Sequence, residues 1–179
     1  MCPITISHTQ LMTIHSSELA KELRSFVAAD YVIEDEETKR PYACDGLSTY
    51  CEMPGLVVLP ETVEQVRQVL QTCHRLQVPV VARGAGTGLS AGAMPHRDGV
   101  VLSMAKFNQI LEIDADACTA RVQPGVRNIV ISEQATDYGL YYAPDPSSQI
   151  ACTIGGNIAE NSGGVHCLKY GLTVHNVLS

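Results

Sequence analysis

The most constraining feature is a pair of short apolar runs, LVVL at Leu56–Leu59 and PVVA at Pro79–Ala82, with an amphipathic stretch between them. Four-residue apolar runs bounded by turn residues read as strands buried on both faces. Between them Thr62 and Gln65 have capping-box spacing, and Val63, Val66, Val69, Leu70 and Cys73 fall on one face of a helix. Strand, helix and strand in so short a span form a right-handed crossover between parallel strands. The chain is therefore expected to begin its core as an α/β unit.

The pattern continues on both sides. Apolar residues at Leu19, Leu23, Phe26 and Val27 predict a helix over Ser16–Ala29. The acidic cluster Glu34–Glu37 reads as a solvated turn or short exposed helix, and Arg40–Gly55 as irregular. VVLSM at Val100–Met104 is a third strand. ILEI (Ile110–Ile113) and TARVQ (Thr119–Gln123), separated by Asp114–Ala117, predict a hairpin. A helix is expected from Val126 to about Thr136. Antiparallel pairing is expected to begin near Ile110, where a subdomain boundary falls.

Two glycine-rich regions carry the chemistry. The first, RGAGTGLSAG, spans Arg83–Gly92 and follows a buried strand. Only Arg83 and Leu89 are large, so backbone N–H groups at Gly84, Ala85, Gly86, Thr87, Gly88 and Ser90 can converge on an anion. No Gly-Lys occurs, which excludes a P-loop. A dinucleotide fingerprint forced onto Gly86, Gly88 and Ala91 fails, because Gly92 and Pro95 interrupt the helix it must open. Whether Arg83 pairs with phosphate or a local carboxylate stays open. The second region, PDPSSQIACTIGGNIAENSGG, spans Pro144–Gly164 and is followed by KYG at Lys169–Gly171. Gly155 and Gly156 open a short helical stretch through Asn157–Asn161, and Gly163–Gly164 end it. A loop of this length inside a compact domain is more often functional than idle.

Composition removes several alternatives. Twelve Lys+Arg against 19 Asp+Glu give a net charge of −7, which supplies no basic stripe for nucleic acid and no polybasic patch for anionic lipid. No apolar run is long enough to span a membrane, and the first 23 residues lack the basic start and apolar core of a secretory signal. Seven Cys at irregular spacings, with no CxxC, point to reduced thiols in a cytosolic compartment. The six His include no HExxH and no i, i+4 pair, so no metal site is expected. His166, His175, Cys152 and Cys167 read as structural; Asp145 and Glu160 could be read as paired carboxylates for acid–base work, but nothing fixes their separation, and Asp145 between two prolines reads as a loop-ordering residue.

Together, PYACDGLSTY (Pro41–Tyr50), PVVARGAGTGLSAGA (Pro79–Ala93), RVQPGVRN (Arg121–Asn128) and the long stretch Tyr141–Leu178 resemble the PCMH-type FAD domain of the vanillyl-alcohol-oxidase type of flavoprotein, and within it the FAD-linked subunits of bacterial glycolate oxidase and D-lactate dehydrogenase-like oxidases. The resemblance implies an α+β fold of two subdomains. A small parallel sheet with helices would occupy 51–106, an antiparallel sheet with helices 107–179, and residues 1–50 would be a lead-in. Arg83–Ser90 would meet the FAD diphosphate. Pro144, Asp145, Ser147, Ser148, Gly155, Gly156, Asn157, Asn161, Gly163, Gly164, Tyr170 and Gly171 would lie along the ribityl chain and isoalloxazine ring. Thr87 stands where some relatives carry a flavin-linking His, which implies non-covalent FAD.

The implied reaction is dehydrogenation of a 2-hydroxy acid, glycolate to glyoxylate, with hydride passing from substrate C2 to flavin N5. D-Lactate and D-2-hydroxyglutarate are alternative substrates. The resemblance further implies partner subunits of a glycolate oxidase complex and a cytoplasmic location, peripheral to the inner membrane through those partners. It also implies a longer protein whose later residues hold substrate, general base and metal, so turnover by residues 1–179 alone is not expected.

Overall fold

The computed structural model describes residues 8–179, with side chains from residue 16. The expected lack of a secretory signal in the first 23 residues falls partly outside the described residues, as do the side chains of Cys2, His8 and His15 among the cysteines and histidines counted above. The elements in order are α1 (His8–Leu23), β1 (Val32–Ile33), α2 (Glu36–Lys39), β2 (Leu56–Val58), α3 (Val63–Arg75), β3 (Val80–Arg83), β4 (Val100–Ser103), β5 (Ile110–Asp114), β6 (Thr119–Val122), α4 (Asn128–Ala135), α5 (Ile154–Glu160) and α6 (Cys167–Tyr170). The fold class is α+β. The chain divides into two compact units, each discontinuous in sequence. One comprises residues up to 44, 51–81 and 94–102; the other comprises 45–50, 82–93 and 103–179.

The first unit carries most of a four-stranded sheet of order β1-β2-β4-β3. β2 and β4 are parallel, with Leu56 opposite Val100 and Val58 opposite Leu102. Leu56, Val57, Val58, Val100, Val101 and Leu102 are all buried, as the uninterrupted apolar runs require. α3 begins where expected: Thr62 Oγ1 accepts from the Gln65 N–H at 3.2 Å, and Gln65 Oε1 accepts from the Glu61 N–H at 2.7 Å. The Gln65 return bond thus lands one residue earlier than a capping box.

Four expectations need correction. The PVVA run is not a buried strand: Val80 and Val81 are half-buried and Ala82 is exposed, because β3 ends the sheet order with a neighbour, β4, on one side only. The buried face of α3 is Val69, Thr72 and Cys73, while Val63 and Leu70 are exposed. Burial pushes the Cys73 thiol up to about 11, with the Glu22 carboxylate adding to it. The first helix stops at Leu23 rather than Ala29; Ser25 Oγ donates to the Glu22 carbonyl at 2.6 Å, and Val27 is buried as part of a turn. Antiparallel pairing starts at β1, not near Ile110, since Val32 faces Val58 across the β1–β2 ladder.

In the second unit β5 and β6 form the expected antiparallel hairpin, with Ile113 opposite Ala120 and Asp114 Oδ1 accepting from the Ala117 N–H at 2.9 Å. Val126, Ile131 and Ile154 form this unit's buried cluster, joined by Ile110, Val122, Val130 and Tyr142. Among the described residues no helix is long and apolar enough to cross a membrane, and no group of His, Cys, Asp and Glu could hold a metal ion.

Candidate functional site

Both glycine-rich regions belong to the second unit. The first loop leaves β3 at Arg83, which is buried beneath it. Gly86 turns with φ +70°, and a Cβ there would lie 2.2 Å from Arg83 Nη2, so only glycine lets the loop close over the guanidinium. Arg83 Nη1 also donates to the Ala93 carbonyl at 3.4 Å. The guanidinium therefore braces the loop from below.

The loop then runs along α5. A Cβ on Gly84 would sit 2.3 Å from Thr153 Oγ1 and 3.8 Å from the Gly156 nitrogen. At the other end a Cβ on Gly88 would meet Glu160 Oε1 at 1.9 Å. Gly84 thus abuts the first turn of α5 and Gly88 its last residue. Gly46 approaches from a third segment, where a Cβ would lie 2.6 Å from the Thr87 carbonyl oxygen and 2.8 Å from that of Gly88.

At the start of α5 the Ile154 N–H donates to the Val126 carbonyl at 2.9 Å and the Gly155 N–H to the Pro124 carbonyl at 2.8 Å. The Asn157 N–H makes the first helical bond, to the Thr153 carbonyl at 2.9 Å. Among the described residues this leaves the Gly156 N–H as the first-turn donor open to another acceptor. Thr153 Oγ1 is buried beside it without a hydrogen-bond partner. A cavity of about 410 Å³ opens here, lined by Gly84, Ala85, Thr153, Arg127, Asn108 and Val130 among others. It joins small backbone-exposing residues to one cation and one orphaned hydroxyl, a chemistry suited to a phosphate-bearing ligand.

The remaining candidates form a neighbouring group, joined to α5 by a buried amide chain. Asn157 Nδ2 donates to Asn128 Oδ1 at 2.9 Å, and Asn128 Nδ2 donates to the Pro144 carbonyl at 3.0 Å. Asn157 is therefore buried with its side chain turned to Asn128, and this chain fixes the start of the loop bearing Ser147 and Ser148. Asn161 ends α5 with φ 52°, its Oδ1 accepting from the Val174 N–H at 3.0 Å. Gly163 packs on Leu172, and Gly164 on Asp145, whose Oδ1 would lie 2.1 Å from an added Cβ.

Asp145 binds His166 twice, through the backbone N–H at 3.2 Å and ring Nδ1 at 2.7 Å. Partial burial works to raise the Asp145 carboxyl, but the bonds from His166 outweigh it and hold the group below its ordinary value. Tyr141, His166 and Tyr170 form a ring cluster with centroids 6.1–6.5 Å apart, and Lys169 Nζ lies 4.7 Å from the Tyr170 centroid. Hydrogen bonds with Lys169 and then Tyr141 lower the Tyr170 phenol, and the bond to Tyr170 raises that of Tyr141. Gly171 turns with φ +80° against the His175 ring.

Residues 54–179 match the FAD binding domain family. The chain belongs to that family. The chain is 58% identical over 168 residues to the glycolate oxidase subunit GlcD of Escherichia coli K12, covering 94% of this chain and 34% of that protein. It is 36% identical to D-2-hydroxyglutarate dehydrogenase of Stutzerimonas stutzeri, over 87% of this chain and 33% of that one. Among solved structures it superposes on an alkyldihydroxyacetonephosphate synthase with a TM-score of 0.78 and 26% identity, covering 87% of this chain and 31% of the other. The chain thus spans about a third of the length of the curated relatives it matches.

Gly46, Arg127, Asn128 and Thr153 escaped the sequence reading of the site. Gly46, Arg127 and Asn128 lie in the stretches Pro41–Tyr50 and Arg121–Asn128 that carried the resemblance, so a signal existed without a role attached. Thr153 lies inside the second glycine-rich region, between Cys152 and Ile154, and could have been included by position.

Proposed function

We propose that Arg83–Ser90 and the start of α5 hold the diphosphate of non-covalently bound FAD, and that the loop from Pro144 to Gly171 lines its ribityl chain and ring, in a flavoprotein that dehydrogenates a 2-hydroxy acid. The observation that carries this is the packing of Gly84 against Thr153 and Gly156, which brings two loops of small residues, far apart in sequence, to one cavity. When bound, FAD supplies the two-electron acceptor. The chain's own work is to bind and orient it. Main-chain N–H groups of the first loop and of Gly156 face the anion, with Arg127 as the nearby cation. Thr153 Oγ1 gains the partner it lacks. Glu160, beside Gly88, accepts from a ribityl hydroxyl, since a carboxylate repels phosphate but suits a polyol. Thr87 offers no imidazole for a covalent flavin bond.

Glycolate is the substrate favoured by the high identity to GlcD. D-Lactate and D-2-hydroxyglutarate are the alternatives carried by other relatives. Electrons then pass to partner subunits of a glycolate oxidase complex, on the cytoplasmic side and peripheral to the inner membrane.

Gly156→Ala tests the binding mode. A Cβ there meets nothing nearer than Thr153 Oγ1 at 3.4 Å, and replacing a helical glycine by alanine stabilises by about 0.5–1 kcal/mol. The variant should therefore melt no lower than the parent without ligand, yet bind FAD at least about tenfold more weakly by fluorescence quenching, a loss of about 1.4 kcal/mol. Unchanged FAD affinity in a folded variant defeats the assignment.

A further inference from the structure

We propose that Cys44 and Cys51 form a reversible dithiol–disulfide pair that closes the Asp45–Tyr50 loop at its base. The two cysteines flank that segment directly. Just outside them the Glu52 N–H donates to the Ala43 carbonyl at 2.8 Å, which ties the two ends of the loop to each other, with Ala43 in helical backbone. A disulfide spans about 4.4–6.8 Å between Cα atoms. The Ala43–Glu52 bond holds the two ends of the loop together on this scale, one residue outside each cysteine.

Access and contact agree with this. Cys51 is exposed and Cys44 half-buried. Cys51 is raised above its ordinary value, first by partial desolvation and then by a hydrogen bond with the Cys44 thiol, which makes the two sulfurs direct neighbours. The other described cysteines differ. Cys73 and Cys152 are buried, and Cys118 and Cys167 lie on the hairpin turn and α6.

The oxidant is a low-molecular-weight disulfide, RSSR. The Cys51 thiolate attacks one of its sulfurs, forming a mixed disulfide and expelling RS⁻. The Cys44 thiolate then attacks the Cys51 sulfur and expels the second RS⁻. The two protons lost by the protein appear on two RSH, so two protein thiols are oxidised as one external disulfide is reduced. Because Cys51 is raised, the reaction is slow at neutral pH and accelerates about tenfold per pH unit until the thiol ionises. The closed segment bears Gly46, which seats against the Thr87 and Gly88 carbonyls, so the bridge tethers a support of the glycine-rich loop.

The test uses the full 179-residue chain, folded, in a series of reduced and oxidised glutathione buffers. It is quenched with acid, alkylated and analysed by peptide mass spectrometry. The expected product has lost two hydrogens, links Cys44 to Cys51 after cleavage within the loop, and is reversed by dithiothreitol. Cys44→Ser should instead stop at a glutathione adduct on Cys51. The proposal is overturned if both thiols of the wild-type chain stay alkylatable across the series, if wild-type Cys51 accumulates only the mixed disulfide, or if the bridge joins either residue to Cys118 or Cys167. The wild-type measurements decide the matter even where a variant fails to fold.

Discussion

Replacing Gly84 by alanine tests the junction on which the site depends. The new methyl group would lie 2.3 Å from Thr153 Oγ1 and 3.6 Å from Thr153 Cβ. The second distance is ordinary contact, whereas the first forces the hydroxyl to move by about 1 Å, far up the repulsive wall. Thr153 cannot yield cheaply. It is buried, its carbonyl accepts the first helical bond of α5, and it bridges to Arg127 on the other side. Overpacking of this kind costs about 1–3 kcal/mol, or roughly 2–4 °C of Tm per kcal/mol in a chain of this size. Thr153→Ala removes the offending oxygen. Because that oxygen has no hydrogen-bond partner, the variant alone loses only about 1 kcal/mol of methyl burial. In the double variant the clash is gone and the remaining contact is the acceptable one, so most of the Gly84→Ala cost returns, a coupling of about 1–2 kcal/mol. Urea unfolding of the four proteins measures it. If the two single costs add in the double variant to within about 0.5 kcal/mol, Gly84 does not press on Thr153 and the two loops are not joined there.

Two further outcomes follow from the neighbouring group. Asn157→Ala leaves the buried Asn128 Oδ1 without its donor, which should cost about 1–3 kcal/mol in urea unfolding; a loss below about 0.5 kcal/mol would mean the amide chain is not a structural tie. Asp145 is held below its usual value of 3.8, so its contribution to stability is complete above the unfolded-state value of about 3.9 and disappears as pH falls through the lower folded-state value. His166→Ala should move the Asp145 carboxyl titration, followed by NMR, upward; no movement would remove His166 as the cause.

Legibility varied with the range of the interactions involved. β2, β3, β4 and the β5–β6 hairpin could be read directly, because an apolar run bounded by turn residues is a local signal. β1 could not, since two residues have no period and only the ladder to β2 makes them a strand. Phe26 and Val27 continued the helical spacing, yet Val27 is buried from a turn, which periodicity alone cannot distinguish. Val63 and Leu70 share the sequence pattern of Val69 and Cys73, but pattern does not report how far the covering surface extends, and those two lie beyond it. In the site, small residues in two regions were evident as composition. Their contacts were not: nothing local says that Gly84 meets Thr153, that Gly46 meets Thr87, or that the Asn157 amide turns to Asn128.

Those contacts change how a glycine-rich motif should be read. Gly125, Gly155 and Gly164 would each place a Cβ within 3 Å of atoms of their own unit, Met104, Pro124 and Asp145 respectively. Protein packing alone explains them, and substituting them disturbs folding whether or not a ligand binds. Gly86 is explained by its positive φ and by Arg83 beneath it. Gly156 is different, because its helical backbone tolerates any residue and its nearest obstacle stands at 3.4 Å. Alanine would suit the free fold better there, since it strengthens a helix. A glycine that the fold does not need, set beside an open N–H and an orphaned buried hydroxyl, is therefore best accounted for by something outside the chain that approaches its backbone.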